Sequence, residues 1–340
     1  MTTQLSIQEI RSLPKIDLHR HLDCSMRWST LLEIATNLKL DFPKSPSAQR
    51  EHFLVQKPMK NLDQVLFKFQ TSQKVLNSTE ILERLAFEAC EDAFNDGVRI
   101  LELRYAPTYI AEGNSHLSFE KIHSSFCEGI ARAKKKMNIA VGLICIIQRN
   151  LSLKVASDVT DFAIENKSTL IALDLADQEV GFEPQQFAPF FNKAKKAGLN
   201  ITIHSGETPS PLAEKWMMDS IDLLGAQRIG HGVQSIHFPN LIQKLIQENI
   251  VLEICPYSNY LTQAFKTYQE NPIKKLKDFG VQVTLNSDDP GMFASTLSDD
   301  YLIAQNELNF TKNDFKDCHK IAFESSFISL LEKQNAWIDS

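Results

Sequence analysis

With 340 residues, 43% of them hydrophobic and 23% charged, the chain has an ordinary globular composition and length enough to bury a large core without staples. A formal net charge of −6 argues against nucleic acid as the partner, because a phosphate backbone is met by a basic face. No run approaches the ~20 apolar residues that cross a bilayer, the start lacks the apolar stretch of a signal peptide, and six scattered cysteines form no knuckle or redox pair. A cytoplasmic protein with no membrane contact is the expectation.

In chain order, short apolar runs alternate with longer helical patterns. The first strand is expected over residues 16–19. A polar, proline-bearing segment follows at 41–60, and then the apolar cluster Leu62, Val65, Leu66, Phe67 and Phe69, which forms either a partly apolar lid or an amphipathic helix packed on the body. A helix over 79–96 leads to a strand over 98–105, and a helix over 119–136 to a strand over 140–147. The next strand is expected over 170–175. A helix over 184–197 runs into Gly198 and a strand over 200–204, a stop signal followed at once by an extended run. Strands over 228–230, 250–254 and 281–286, with a helix over 241–248, complete the set. Several strands are continuous apolar runs, as strands covered on both faces should be. Eight strands in a βαβα rhythm, with no repeat or flexible linker, favour an α/β fold of one (β/α)8 barrel domain over residues 1–340, with a helical lid excursion after the first strand.

The residues with metal and acid–base chemistry fall at the strand ends. In Asp17-Leu18-His19-Arg20-His21-Leu22-Asp23, residues two apart on an extended chain share a side, so His19 and His21 can converge on one metal ion; taken alone, the pair reads equally well as two polar residues at a strand end. Strand alternation also puts Asp23 on their side. Ile203-His204-Ser205-Gly206-Glu207 ends an apolar strand in a histidine with a carboxylate beyond it. Gly230-His231-Gly232 sets a histidine between glycines, where backbone approaches a neighbour closely. Ser287-Asp288-Asp289-Pro290 puts two carboxylates after the last strand. Barrel enzymes gather catalytic groups at the C-terminal ends of strands, and His19, His21, His204, His231 and Asp288 all sit there. His52, His116, His123, His237 and His319 lie in helical or loop contexts and read as surface or structural.

These motifs, together with Pro14-Lys15-Ile16 ahead of the first and Glu253-Ile254-Cys255-Pro256-Tyr257-Ser258-Asn259, closely resemble the adenosine deaminase family, in order from about Leu13 to Ser325-Ser326-Phe327. The resemblance implies one zinc ion per chain on His19, His21, His204 and Asp288, with a position open to water, whose pKa it lowers from about 15.7 towards about 7. It implies that His231 orients or deprotonates that water, with Asp288 accepting its hydrogen bond. Glu207 is then the general acid that protonates purine N1, which makes C6 electrophilic and requires a raised carboxyl pKa. His21, Asp23, Asp177 and Asp289 face the substrate, Asp289 at N7 and Asp23 at the ribose 5′-hydroxyl. The implied reaction is conversion of adenosine or 2′-deoxyadenosine to inosine or 2′-deoxyinosine with loss of ammonia, in purine salvage. Adenine, or a 5′-modified adenosine such as aminodeoxyfutalosine, is the alternative substrate.

Three positions depart from the family pattern. Cys24 stands where glycine is common and is expected to be a small core residue, Ser205 stands for alanine, and Asp177 replaces a glycine that lies beside purine N3. The Asp177 side chain either narrows the base pocket or points away. The cysteine-ligated deaminase class does not fit, since Cys255-Pro256-Tyr257-Ser258 lacks a second cysteine. A two-metal hydrolase bridged by a modified lysine does not fit either, because Leu173-Asp174-Leu175-Ala176 offers no lysine. A growth-factor-like or silent binding protein is disfavoured by the intact set of His19, His21, His204, Glu207, His231 and Asp288.

Overall fold

A computed structural model describes residues 4–337. Eight strands run parallel, each beside the next in chain order: β1 Lys15–His21, β2 Val98–Tyr105, β3 Ala140–Gln148, β4 Leu170–Ala176, β5 Asn200–Ser205, β6 Arg228–His231, β7 Val251–Ile254 and β8 Gln282–Leu285. Parallel neighbours need long crossovers, and helices fill each of them. The ring closes where Arg20 bridges Asp288: His21 N–H donates to the Asp288 carbonyl at 2.8 Å and Asp288 N–H to the His19 carbonyl at 2.9 Å. The fold is a (β/α)8 barrel, as the strand rhythm predicts.

The side-chain alternation of β2 shows how the layers form. Leu101, Leu103 and Tyr105 join the apolar cluster beneath the helices, while Glu102 and Arg104 between them point inward and are fully buried. The helix Thr79–Asn95 begins where the Ser78 side chain accepts from Ile81 N–H, and Phe119–Lys134 where Ser118 does the same for Lys121. These two helices meet closely at Gly129, where a Cβ would lie 2.3 Å from the Glu83 carbonyl oxygen.

Several boundaries differ from the sequence expectation, each for a local reason. β1 continues to His21 because Asp288 supplies it with partners beyond the sheet proper. The helix expected over 184–197 is a 3-10 turn, Pro184–Phe187, followed by the α-helix Ala188–Lys196, since Pro189 at its second position has no N–H to extend a longer helix backwards. Gly198, at φ 95°, ends it as expected. The excursion after β1 folds into helices Trp28–Asn37, Pro46–Phe53 and Leu62–Gln73. The last of these is the lid: Val65 and Phe69 pack on Cys24, Leu261, Met292 and Phe293, while Leu62, Leu66 and Phe67 border the central cavity. Among the described residues no helix is long and apolar enough to cross a membrane.

Candidate active site

The strand ends of β1, β5, β6 and β8 bring the predicted residues together. His19, His204, His231 and Asp288 place potential ligand atoms within 4.8 Å of one another, and His21 forms a second such group with Asp288 and Asp289. His19 Nε2 and His21 Nε2 each lie 3.4 Å from Asp288 Oδ1, and His21 Nε2 is 3.2 Å from His204 Nε2. His19 Nε2 is buried without a hydrogen-bond partner. Such an orphaned nitrogen facing a carboxylate and two more imidazoles is what a cation-binding cluster requires.

Buried carboxylates behind the imidazoles set their orientation. Glu253 lies 2.7 Å from His19 Nδ1 and Asp174 3.1 Å from His204 Nδ1. Each carboxylate draws the ring proton to Nδ1, which leaves the Nε2 lone pair free to face a metal. Arg104 joins the two supports, donating to Asp174 at 2.8 Å and to Glu253 at 2.7 Å. Burial holds His21, His204 and His231 below the usual imidazole range, so all three stand neutral. His231 Nδ1 accepts from Asn259 Nδ2 at 3.1 Å, which turns an N–H at Nε2 towards Glu207 Oε2, 3.6 Å away.

The acids in the site are driven apart in protonation. Burial, then the neighbouring Asp288 charge, pushes Glu207 up to about 8; its other oxygen accepts from the Thr262 hydroxyl at 2.8 Å. The carboxyl is therefore protonated at neutral pH, as a general acid must be. Asp288 and Asp289 split: despite burial, the imidazoles of His19, His231 and His21 beside it hold Asp288 well below the carboxylate range, while burial beside that charge holds Asp289 well above it. Burial also raises Asp23 to about 7.

A cavity of about 930 Å³ opens above the cluster. His21, Asp23, Asp177, Glu207, His231 and Asp289 all border it, and no lysine or arginine does among the described residues. Asp23 Oδ1 and Asp289 Oδ1 are buried without partners. Asp23 is carried there by the turn after β1 rather than by the strand, and its Oδ2 accepts from Ala106 N–H at 3.0 Å. Cys24 packs with the lid residues and belongs to no ligand group among the described residues. The Asp177 side chain is turned towards β3: it accepts from Gln148 Nε2 at 3.0 Å and from Gln178 N–H at 2.8 Å. Its φ of 83° is a backbone setting suited to glycine, the residue the family has there.

Four supports were not singled out from sequence: Glu253, Asp174, Arg104 and Glu179. Glu179 accepts three amides of the loop that carries Glu207, from Gly206 at 2.7 Å, Glu207 at 3.0 Å and Thr208 at 2.9 Å. A usable signal was present, since Leu252-Glu253-Ile254 and Leu173-Asp174-Leu175 each set a carboxylate inside an apolar strand, where a charge persists only with partners.

The family model for adenosine deaminase matches residues 14–339. An adenosine deaminase of Shewanella loihica is 33% identical over 324 residues, 95% of this chain and 97% of that relative. Among solved structures, an amidohydrolase of Burkholderia ambifaria with bound Zn shares the fold, with a TM-score of 0.88 at 23% identity over 98% of this chain and 91% of the other. The N6-mAMP deaminase of Arabidopsis is similar at 27% identity and a TM-score of 0.84, covering 96% of this chain and 98% of its own. The chain belongs to the adenosine deaminase family of hydrolytic deaminases.

Proposed function

We propose that this enzyme is a zinc-dependent deaminase of adenosine and 2′-deoxyadenosine, adding water and releasing ammonia to give inosine and 2′-deoxyinosine in purine salvage. One observation carries the reading: a carboxyl held protonated, Glu207, beside a cluster of imidazoles and a carboxylate, in a cavity that no lysine or arginine borders among the described residues. His19, His21, His204 and Asp288 would hold one zinc, since three imidazole nitrogens and one carboxylate oxygen suit that ion and leave a position open. When bound, zinc acts as a Lewis acid that makes a water molecule acidic near neutral pH.

The chain's own groups supply the rest. Glu207 would pass its proton to purine N1, withdrawing electrons from C6 so that water adds there; of the two protons that the water gives up, one restores Glu207 and the other joins the amino group, which leaves as ammonia. His231, with Nδ1 occupied by Asn259, presents an N–H and would orient the attacking water rather than take its proton. Purine N7 is a lone-pair acceptor, so Asp289 must be protonated to meet it, which is the state its surroundings favour. Asp23, with one oxygen unanswered, would bind the 5′-hydroxyl. A 5′-phosphate would bring its charge to Asp23 with no bordering cation to neutralise it, which favours the nucleoside over the nucleotide. The same reading takes the chain as a single cytoplasmic catalytic domain.

The Glu207→Gln variant tests the chemistry. It is expected to retain zinc and bind purine, because an amide still hydrogen-bonds N1, but to lose about 10²–10⁴-fold in turnover for want of a proton. Turnover within a few-fold of wild type would show that another group protonates the ring.

A further inference from the structure

Ser325-Ser326-Phe327, at the end of the helix Lys312–Ser325, borders no part of the catalytic cavity, yet two charged side chains inside the barrel are spent on it. Glu102 Oε1 accepts from the Ser326 hydroxyl at 2.8 Å and from Phe327 N–H at 2.6 Å. Arg228 donates to the Ser325 carbonyl at 2.9 Å, and its guanidinium lies 3.7 Å from the centre of the Phe327 ring. Ile328, next along, packs with Ile16, Ile100 and Ala140 near the starts of the first three strands. The segment therefore closes the N-terminal end of the barrel, opposite the end that carries the site.

From this closure a line of buried charges of alternating sign runs up the barrel interior. Arg228 donates to Glu102 at 2.5 Å, and its Nε lies 2.6 Å from Glu253 Oε1, which also accepts from the Thr202 hydroxyl at 3.1 Å. Glu253 Oε2 meets His19 Nδ1 and Arg104, each at 2.7 Å. Arg104 reaches Asp174, which supports His204. Charges shut away from water fix one another's position, because any one that moves leaves its neighbour unpaired in a medium of low dielectric. Arg228 is the joint of this line. Its planar fork meets Glu102, Glu253 and the Ser325 carbonyl together, a task that an ammonium group cannot repeat in the same geometry. It opens β6, which ends at His231, and lies roughly 10 Å below that end, on the inward face it shares with Gly230, where His19 packs close. Since His19 sits on one oxygen of Glu253 and Arg228 on the other, a carboxylate that turns to follow a displaced Arg228 carries its second oxygen away from the imidazole.

We propose that Arg228, seated on Ser325-Ser326-Phe327, is a positioning residue for the metal centre, setting the His19 ring through Glu253; this role rests on the reading of His19 as a zinc ligand. The segment at the foot of the barrel thereby tunes a site that it does not touch.

Two variants of the full chain test this. Arg228→Lys keeps the charge and gives up the fork, and Phe327→Leu keeps every charge and removes the ring beside it. Zinc affinity is read by competition with a chromogenic chelator, and ligand geometry by the visible absorption of the cobalt-loaded protein. Affinity should fall about tenfold in Arg228→Lys, the low end for a group behind a ligating histidine, and about threefold in Phe327→Leu, with the cobalt bands shifted in both. The KM for adenosine should not change, and kcat should return in excess zinc, because neither residue borders the catalytic cavity. Variants that bind zinc as the wild type does, with an unshifted cobalt spectrum, would overturn the proposal even if their metal-free forms unfold at lower temperature, since that loss alone marks a structural role. If Arg228→Lys does not fold, Phe327→Leu decides by the same readings. His19→Ala keeps the two failures apart: it should lose zinc, and a His19→Ala chain that retains the metal would overturn the reading of His19 itself, and this proposal with it.

Discussion

Gly230→Ala adds one carbon atom at the point where β6 backs against the metal-binding cluster. The position has no left-handed φ, so alanine brings no backbone strain of its own, and the effect lies in contact alone. A Cβ there would sit 2.8 Å from His19 Cε1 and 3.3 Å from both His19 Nδ1 and His204 Cα. Ordinary contact begins at 3.4 Å, so the His19 ring has to withdraw by about 0.6 Å. It is not free to pivot, because Glu253 holds Nδ1 at 2.7 Å. Metal–ligand distances tolerate about 0.2 Å, and disturbing the orientation of a ligating histidine typically weakens metal binding by about 10–100-fold. Overpacking adds a stability loss of about 1–3 kcal/mol. Competition against a chromogenic chelator measures the first effect, and thermal unfolding of metal-free protein isolates the second. A variant that holds zinc within about threefold of wild type and unfolds at the same temperature would show that the His19 ring is not confined as described.

Asp174→Asn preserves shape but removes the charge that orients His204 and pairs with Arg104; zinc affinity should fall about 10–100-fold, with activity recovered in excess zinc, and activity lost at full metal occupancy would give Asp174 another role. The general-acid role proposed for Glu207 needs its protonated form, and the group is pushed up to about 8, so kcat/KM should hold steady towards neutrality and fall as pH rises through about 8; a profile that climbs from pH 7 to 9 contradicts the assignment. In Asp177→Gly, relief of a φ of 83° offsets the loss of the bonds to Gln148 and Gln178, so stability should change by no more than about 1 kcal/mol. Adenosine turnover should stay within about tenfold, roughly 1.4 kcal/mol, while 2-substituted purines improve; no gain for them means that Asp177 does not narrow the base pocket.

The barrel was legible because its strands are short apolar runs at a steady spacing, and the site because a closed parallel barrel brings strand ends together. His19, His204, His231 and Asp288 lie far apart in the chain but at equivalent points of the repeat. Pairings across the barrel interior were not legible. Glu253 meets His19 from 234 residues away, and only the register of β1 against β7 through the barrel fixes that meeting. Asp23 reaches the cavity for a different reason from the one strand alternation suggests, because the chain leaves β1 at His21 and the following turn carries it in. At Asp177 the departure from glycine is visible in the sequence, but its direction depends on Gln148, at the end of the neighbouring strand.

The most direct test of the central claim is the ratio of kcat/KM values for ammonia release by the zinc-loaded enzyme from adenosine, AMP, adenine and a 5′-substituted adenosine. A cavity bordered by Asp23, Asp177 and Asp289, and by no lysine or arginine among the described residues, predicts that adenosine leads AMP by at least about a hundredfold, some 2.7 kcal/mol of barrier, and leads adenine and the 5′-substituted nucleoside as well. AMP turned over as well as adenosine, or a 5′-substituted adenosine turned over faster, would contradict the nucleoside reading and the role given to Asp23.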